Sequence, residues 1–66
     1  MEKTKEKILK LVQNYPDPVG MPIYQIYKHF APNPDYSEIL DCIDSLMTDK
    51  KIELLEDRSI NKLRII

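Results

Sequence analysis

Two side chains could carry nucleophilic chemistry, Cys42 and His29, and each is the single residue of its type in the 66-residue chain. A Cys–His dyad works when the imidazole takes the thiol proton and a positive helix start or a nearby cation stabilises the thiolate. Cys42 lies inside the run Ile39–Met47, mid-helix by its apolar spacing, and so far from a helix start. It reads as a small, half-buried residue on a helix flank. His29, beside Phe30, reads as a surface or helix-end histidine. One Cys and one His cannot complete a zinc site. Glu38 and Asp41, spaced i and i+3, could touch a hard cation weakly, but no calcium-loop pattern surrounds them. Gly20 is the only glycine, so no glycine-rich loop can cradle a phosphate. A domain this small is also expected to lack a pocket of small-molecule size. These readings lead to a non-enzymatic chain with no catalytic residue, metal, cofactor or small-molecule substrate.

The charges are more informative. The formal net charge is −1, which by itself points to neither nucleic acid nor an acidic membrane. That neutrality conceals a pattern. Up to Pro32, Lys3, Lys5, Lys7, Lys10 and Lys28 outnumber Glu2, Glu6 and Asp17. From Asn33 to Asp49 the only charged residues are acids: Asp35, Glu38, Asp41, Asp44 and Asp49. From Lys50 onward, Lys50, Lys51, Arg58, Lys62 and Arg64 outnumber Glu53, Glu56 and Asp57. A strongly acidic segment therefore sits between two mildly basic ends.

The elements that must position these groups follow from the apolar periodicity. With 42% hydrophobic and 32% charged residues the composition is globular, and the length allows one domain over residues 1–66. Ile8, Leu11, Val12 and Tyr15 line one face of a helix over Thr4–Asn14, which must stop because Tyr15 precedes Pro16. Val19–Met21 could form a short edge strand. Pro22 suits the first position of a helix, and Ile23, Ile26, Tyr27 and Phe30 continue its stripe over about two turns. Ala31–Pro34 is a proline-bound turn. Asn33 can cap a third helix with Pro34 at its first position; Tyr36, Ile39, Leu40, Ile43, Met47 and, at the edge, Leu46 would form its buried face as far as about Asp49. On that reading Glu38, Asp41 and Ser45 point away from the core. After Lys51 the period becomes two: Ile52 with Leu54, and Leu63 with Ile65, share faces of two strands joined at Glu56–Ser59, a turn without glycine. Tyr15, Tyr27 and Tyr36 fall on core stripes, whereas Tyr24 falls off them. No apolar run reaches the ~20 residues of a membrane span, and Met1–Lys7 lacks an apolar signal core; a cytoplasmic location is expected.

The order helix, short strand, helix, turn, helix, strand, turn, strand resembles the winged helix-turn-helix family over essentially the whole chain. The residues carrying the resemblance are Ile23–Phe30, the turn Ala31–Pro34, the helix Tyr36–Asp49 and the hairpin Lys51–Ile66, which would be the wing. The resemblance implies an α+β, mainly α fold of three helices and a C-terminal hairpin. It also implies DNA as the ligand, with the third helix in the major groove and the wing on backbone or minor groove.

The acidic third helix departs from that pattern, because phosphate neutralisation dominates DNA affinity. A carboxylate can accept from cytosine N4, but five acids without a base repel the duplex. Two readings follow. In the first the chain is a small transcription-regulator-like DNA-associated protein, dimeric because one such module reads little DNA. Its contacts come from Lys3, Lys5, Lys7, Lys10, Lys28, Ser37, Arg58, Lys62 and Arg64. In the second it is a protein-interaction module using Tyr24, Glu38, Asp41 and Ser45. A solvated acidic face with no binding role explains the same charges.

Overall fold

In the computed structural model, which describes residues 2–66, the chain is a small α+β domain of three helices and a three-stranded antiparallel sheet. Helix α1 runs Glu2–Asn14, with Glu2 at its positive end, and buries Ile8 and Val12. It stops where Tyr15 meets Pro16, as steric crowding before proline requires. The chain then turns around Asp17. Its carboxylate accepts from the Val19 N–H at 2.9 Å and its carbonyl from the Gly20 N–H at 3.1 Å.

Strand β1 is Met21–Pro22, which corrects the expected Val19–Met21. Val19 remains exposed in the turn, and Gly20, at φ 125°, redirects the chain into the sheet. Pro22 is correspondingly not the first residue of helix α2 (Ile23–Lys28) but its extended N-cap. An edge strand accepts it because the missing N–H faces no partner there. The helix is shorter than the expected Ile23–Phe30. His29, Phe30 and Ala31 bond back three residues, to Ile26, Tyr27 and Lys28, and so close tight turns before Pro32.

Helix α3 spans Tyr36–Thr48. Its cap is Asp35, whose Oδ1 accepts from the Glu38 N–H at 3.1 Å. The expected cap, Asn33, lies two residues too early, in the turn. At the other end Lys50 adopts φ 58°, and the N–H groups of Lys50 and Lys51 bond the carbonyls of Met47 and Leu46. This is a Schellman closure with lysine where glycine is usual. It aims the chain into β2 (Ile52–Asp57), which pairs with β3 (Ile60–Ile65).

Strand β3 is central: Leu63 lies opposite Met21 of β1 and Leu54 of β2, and Ile52 opposite Ile65. All five side chains share the helix-facing side of the sheet. Only Met21, Ile52 and Leu63 are buried; Leu54 and Ile65 extend past the cover of the helices. The core joins these three to Ile8, Val12, Ile26, Ile39, Cys42, Ile43 and Leu46.

The facing of α3 differs from the expected stripe. Cys42 and Leu46 are in the core, not on a flank or edge, whereas Tyr36 and Leu40 are 56% and 49% exposed. The cause is α1, which packs along the Glu38–Cys42–Asp49 side: Thr4 Oγ1 donates to Glu38 at 3.1 Å, and Lys5 approaches Asp49 at 3.7 Å. Tyr36 instead meets Tyr27 edge-on, with ring centroids 4.7 Å apart.

Positive φ is used in opposite ways at two places, and substitution should have opposite effects. The hairpin turns in two residues, Arg58 and Ser59, both left-handed at φ 52° and 68°. Such a turn favours Asn-Gly. The double substitution Arg58→Asn, Ser59→Gly is expected to stabilise the domain by about 1 kcal/mol and raise its thermal midpoint by about 5 °C. At Gly20 a Cβ would stand 2.9 Å from the Leu63 carbonyl oxygen. Gly20→Ala should therefore cost about 2 kcal/mol or more in a denaturant titration.

Candidate functional site

The outward face of α3 is set by the rotation just described. Ser37, Leu40, Asp41, Asp44 and Thr48 are exposed along it, and no lysine or arginine joins them on the helix. Glu38 and Ser45, expected to point away from the core beside Asp41, are half-buried on the α1 side, where Glu38 accepts from Thr4. The surface that faces solvent is thus acidic through Asp41 and Asp44, with Tyr36 and Leu40 as exposed apolar neighbours.

The basic residues are unevenly committed. Lys5 pairs with Asp49. Arg64 pairs with Glu53 directly across the β2–β3 ladder. Lys62 reaches Asp57 at 3.0 Å and Asp17 at 3.9 Å, and it is 9% exposed, the one charged residue in the buried class among the described residues. It lies opposite Leu55, on the sheet face away from the core, and ties the Asp17 turn to the hairpin. The hydrogen bond to Asp57 raises its pKa, against the opposing effect of burial. Lys7 donates to the His29 carbonyl at 2.9 Å and sits 4.4 Å above the Phe30 ring. Lys28 stands 5.5 Å from the centre of the Tyr24 ring. Lys3, Lys10 and, at the hairpin tip, Arg58 are exposed.

The nucleophile candidate is sealed in. Cys42 is fully buried, and burial, then the nearby Glu38 carboxylate, raises its pKa, so the thiol stays protonated and out of reach. His29 is exposed at the end of α2 and caps it through its N–H. No group of three potential metal ligands occurs among the described residues. No helix among them is long and apolar enough to cross a membrane.

One feature overturns an expectation. An open groove of about 500 Å³ runs along α1, a volume within the range of binding sites even in so small a domain. It escapes the size limit because it is a channel on the surface and takes nothing from the core. Lys3, Glu6, Lys7, Lys10 and Asn14 follow its α1 side at helical spacing. Half-buried Leu11 and Tyr15 supply apolar surface, with buried Met21 beneath them, and His29 also lines the groove. The lysine spacing was visible in the sequence. The part of the lining beyond α1 was not, because it takes Met21 from β1 and His29 from the end of α2.

Comparison with known proteins found no matching family model, no matching curated protein and no matching solved structure. The chemistry of this chain's own surfaces is accordingly the ground for its function.

Lys62 yields a pH test. Because its pKa is raised in the folded chain, the tether stabilises fully below the ordinary lysine value of 10.5 and is lost as pH climbs through the folded value. The thermal midpoint should fall more steeply between about pH 10 and 12 in the native chain than in Lys62→Met, which keeps an apolar stem but has no proton to lose. Parallel curves would show that the tether contributes nothing.

Proposed function

We propose that this chain is a non-enzymatic winged-helix module that binds protein. In support of the winged-helix reading, the element order is helix, strand, helix, helix, strand, strand, and the short first strand joins the terminal hairpin. On that reading α3 stands where a DNA-reading helix would, and β2–β3 is the wing.

One observation carries the choice of partner: the reading helix is bare of cations, and three of the cations that would hold phosphates beside it already face carboxylates. Lys62 and Arg64 of the wing and Lys5 of α1 each face a carboxylate. Asp41 and Asp44 occupy the outward face of α3, beside exposed Tyr36 and Leu40. A duplex presents one negative charge per ~1.7 Å, and a helix face that carries acids and no cation gains no counterion release on meeting it. Exposed aromatic and aliphatic side chains beside charges suit a protein surface better. Tyr24, 51% exposed, adds an aromatic anchor of the same kind.

A second reading, DNA held by the wing tip and first helix, draws on Arg58 at the tip and on Lys3 and Lys10, which stay exposed. A titration with mixed-sequence duplex DNA at low salt separates the two. The amide resonances of Lys3, Lys10, Lys28, Ser37 and Arg58 are expected to stay in place. Shifts that grow with DNA and vanish at about 0.2 M salt would replace the protein reading with the DNA one.

A further inference from the structure

We propose that the groove along α1 receives an acidic amphipathic helix from a partner protein, an inference that rests on the protein-binding reading above. The groove is lined from Lys3 to Asn14, a length of about 17 Å at 1.5 Å per residue, or three turns of a docked helix. Helix-in-groove recognition places apolar side chains at i, i+3 or i+4, and i+7 of the ligand in such a channel. Half-buried Leu11 and Tyr15 offer them apolar contact over the buried Met21.

The charge around the groove selects the ligand's sign. Lys3, Lys7 and Lys10 line it against a single acid, Glu6. Lys7 is held by the His29 carbonyl and the Phe30 ring, so its ammonium is fixed in place. Lys3 and Lys10 stand about one turn to either side of it, exposed and without a carboxylate partner among the described residues. Cations strung along a helix at i, i+4 and i+7 do not converge on one phosphate, but they do match carboxylates repeated along a parallel or antiparallel helix. A nucleic-acid backbone would satisfy the lysines and leave the apolar lining without a partner.

A display library of 16-residue helical peptides, panned against the folded chain, tests this. The enriched peptides should carry Leu, Ile, Met or Phe at i, i+4 and i+7 with Asp or Glu flanking them. An enriched peptide, made synthetically, should shift the amides of Lys3, Lys10, Leu11 and Tyr15. It should lose about tenfold in affinity to the Lys3→Glu, Lys10→Glu double variant, whose substitutions are exposed and leave the melting curve in place. Enrichment of basic or uncharged peptides, no enrichment, equal binding to the double variant, or shifts on α3 and the hairpin instead would each overturn the groove's assignment. So would concentration-dependent broadening at the groove in the chain alone, which would make a second copy the occupant. Mixed-sequence duplex DNA shifting the same lysines would overturn the protein reading itself, whereas failed panning with silent DNA removes the groove proposal alone.

Discussion

The burial of Leu63 is the contact on which the other elements converge. It is fully buried on the central strand, with Met21 beside it on one side and the β2 ladder on the other. A two-stranded hairpin in water is marginal alone. Here a two-residue third strand and a cover of helices turn it into one side of a core. The close approach of Gly20 to the Leu63 carbonyl follows from the same demand, because β1 must come in tightly behind a strand already placed. With β1 drawn in, Met21 comes to lie beneath Leu11 and Tyr15, the apolar residues that line the groove at the end of α1.

Electrostatics is secondary to that core but decides what the surface can do. The hairpin's two charged links lie on the same sheet face: Glu53 with Arg64 across the ladder, and Lys62 with Asp57 on the diagonal. Exposed pairs such as Glu53–Arg64 contribute at most about 1 kcal/mol. Their larger effect is on partners, since a cation already facing a carboxylate has less to offer a phosphate. The residual positive potential is left on α1, on the groove side, and the residual negative potential on the outer face of α3.

Much of the architecture was legible in the residues. Three helical stripes, the proline-bound turn and the change to a period of two each have a strong local signal, and each element appears within a few residues of its expected place. What the sequence left open depends on partners distant in the chain. The facing of α3 is one case: apolar residues at Tyr36, Ile39, Leu40, Cys42, Ile43, Leu46 and Met47 span nearly half the helix's circumference, wider than the stripe a core covers, so periodicity alone cannot say which side is buried. The direction of approach of α1 decides it, in favour of Cys42 and Leu46 over Tyr36 and Leu40. Strand β1 is another, since two residues carry no period and are strand only by virtue of pairing with β3. The burial of Lys62 had no local sign; its two carboxylate partners lie 5 and 45 positions away. The groove was hidden for the same reason, being assembled from three separate parts of the chain.

Lys7 reaches from α1 to the carbonyl of His29, and both residues line the groove. The distance from α1 to the end of α2 is there matched to the reach of a single four-carbon stem, with the Phe30 ring as a second rest for its ammonium. The start of the chain and the end of its second helix are thus joined through one nitrogen that touches both a carbonyl and a ring.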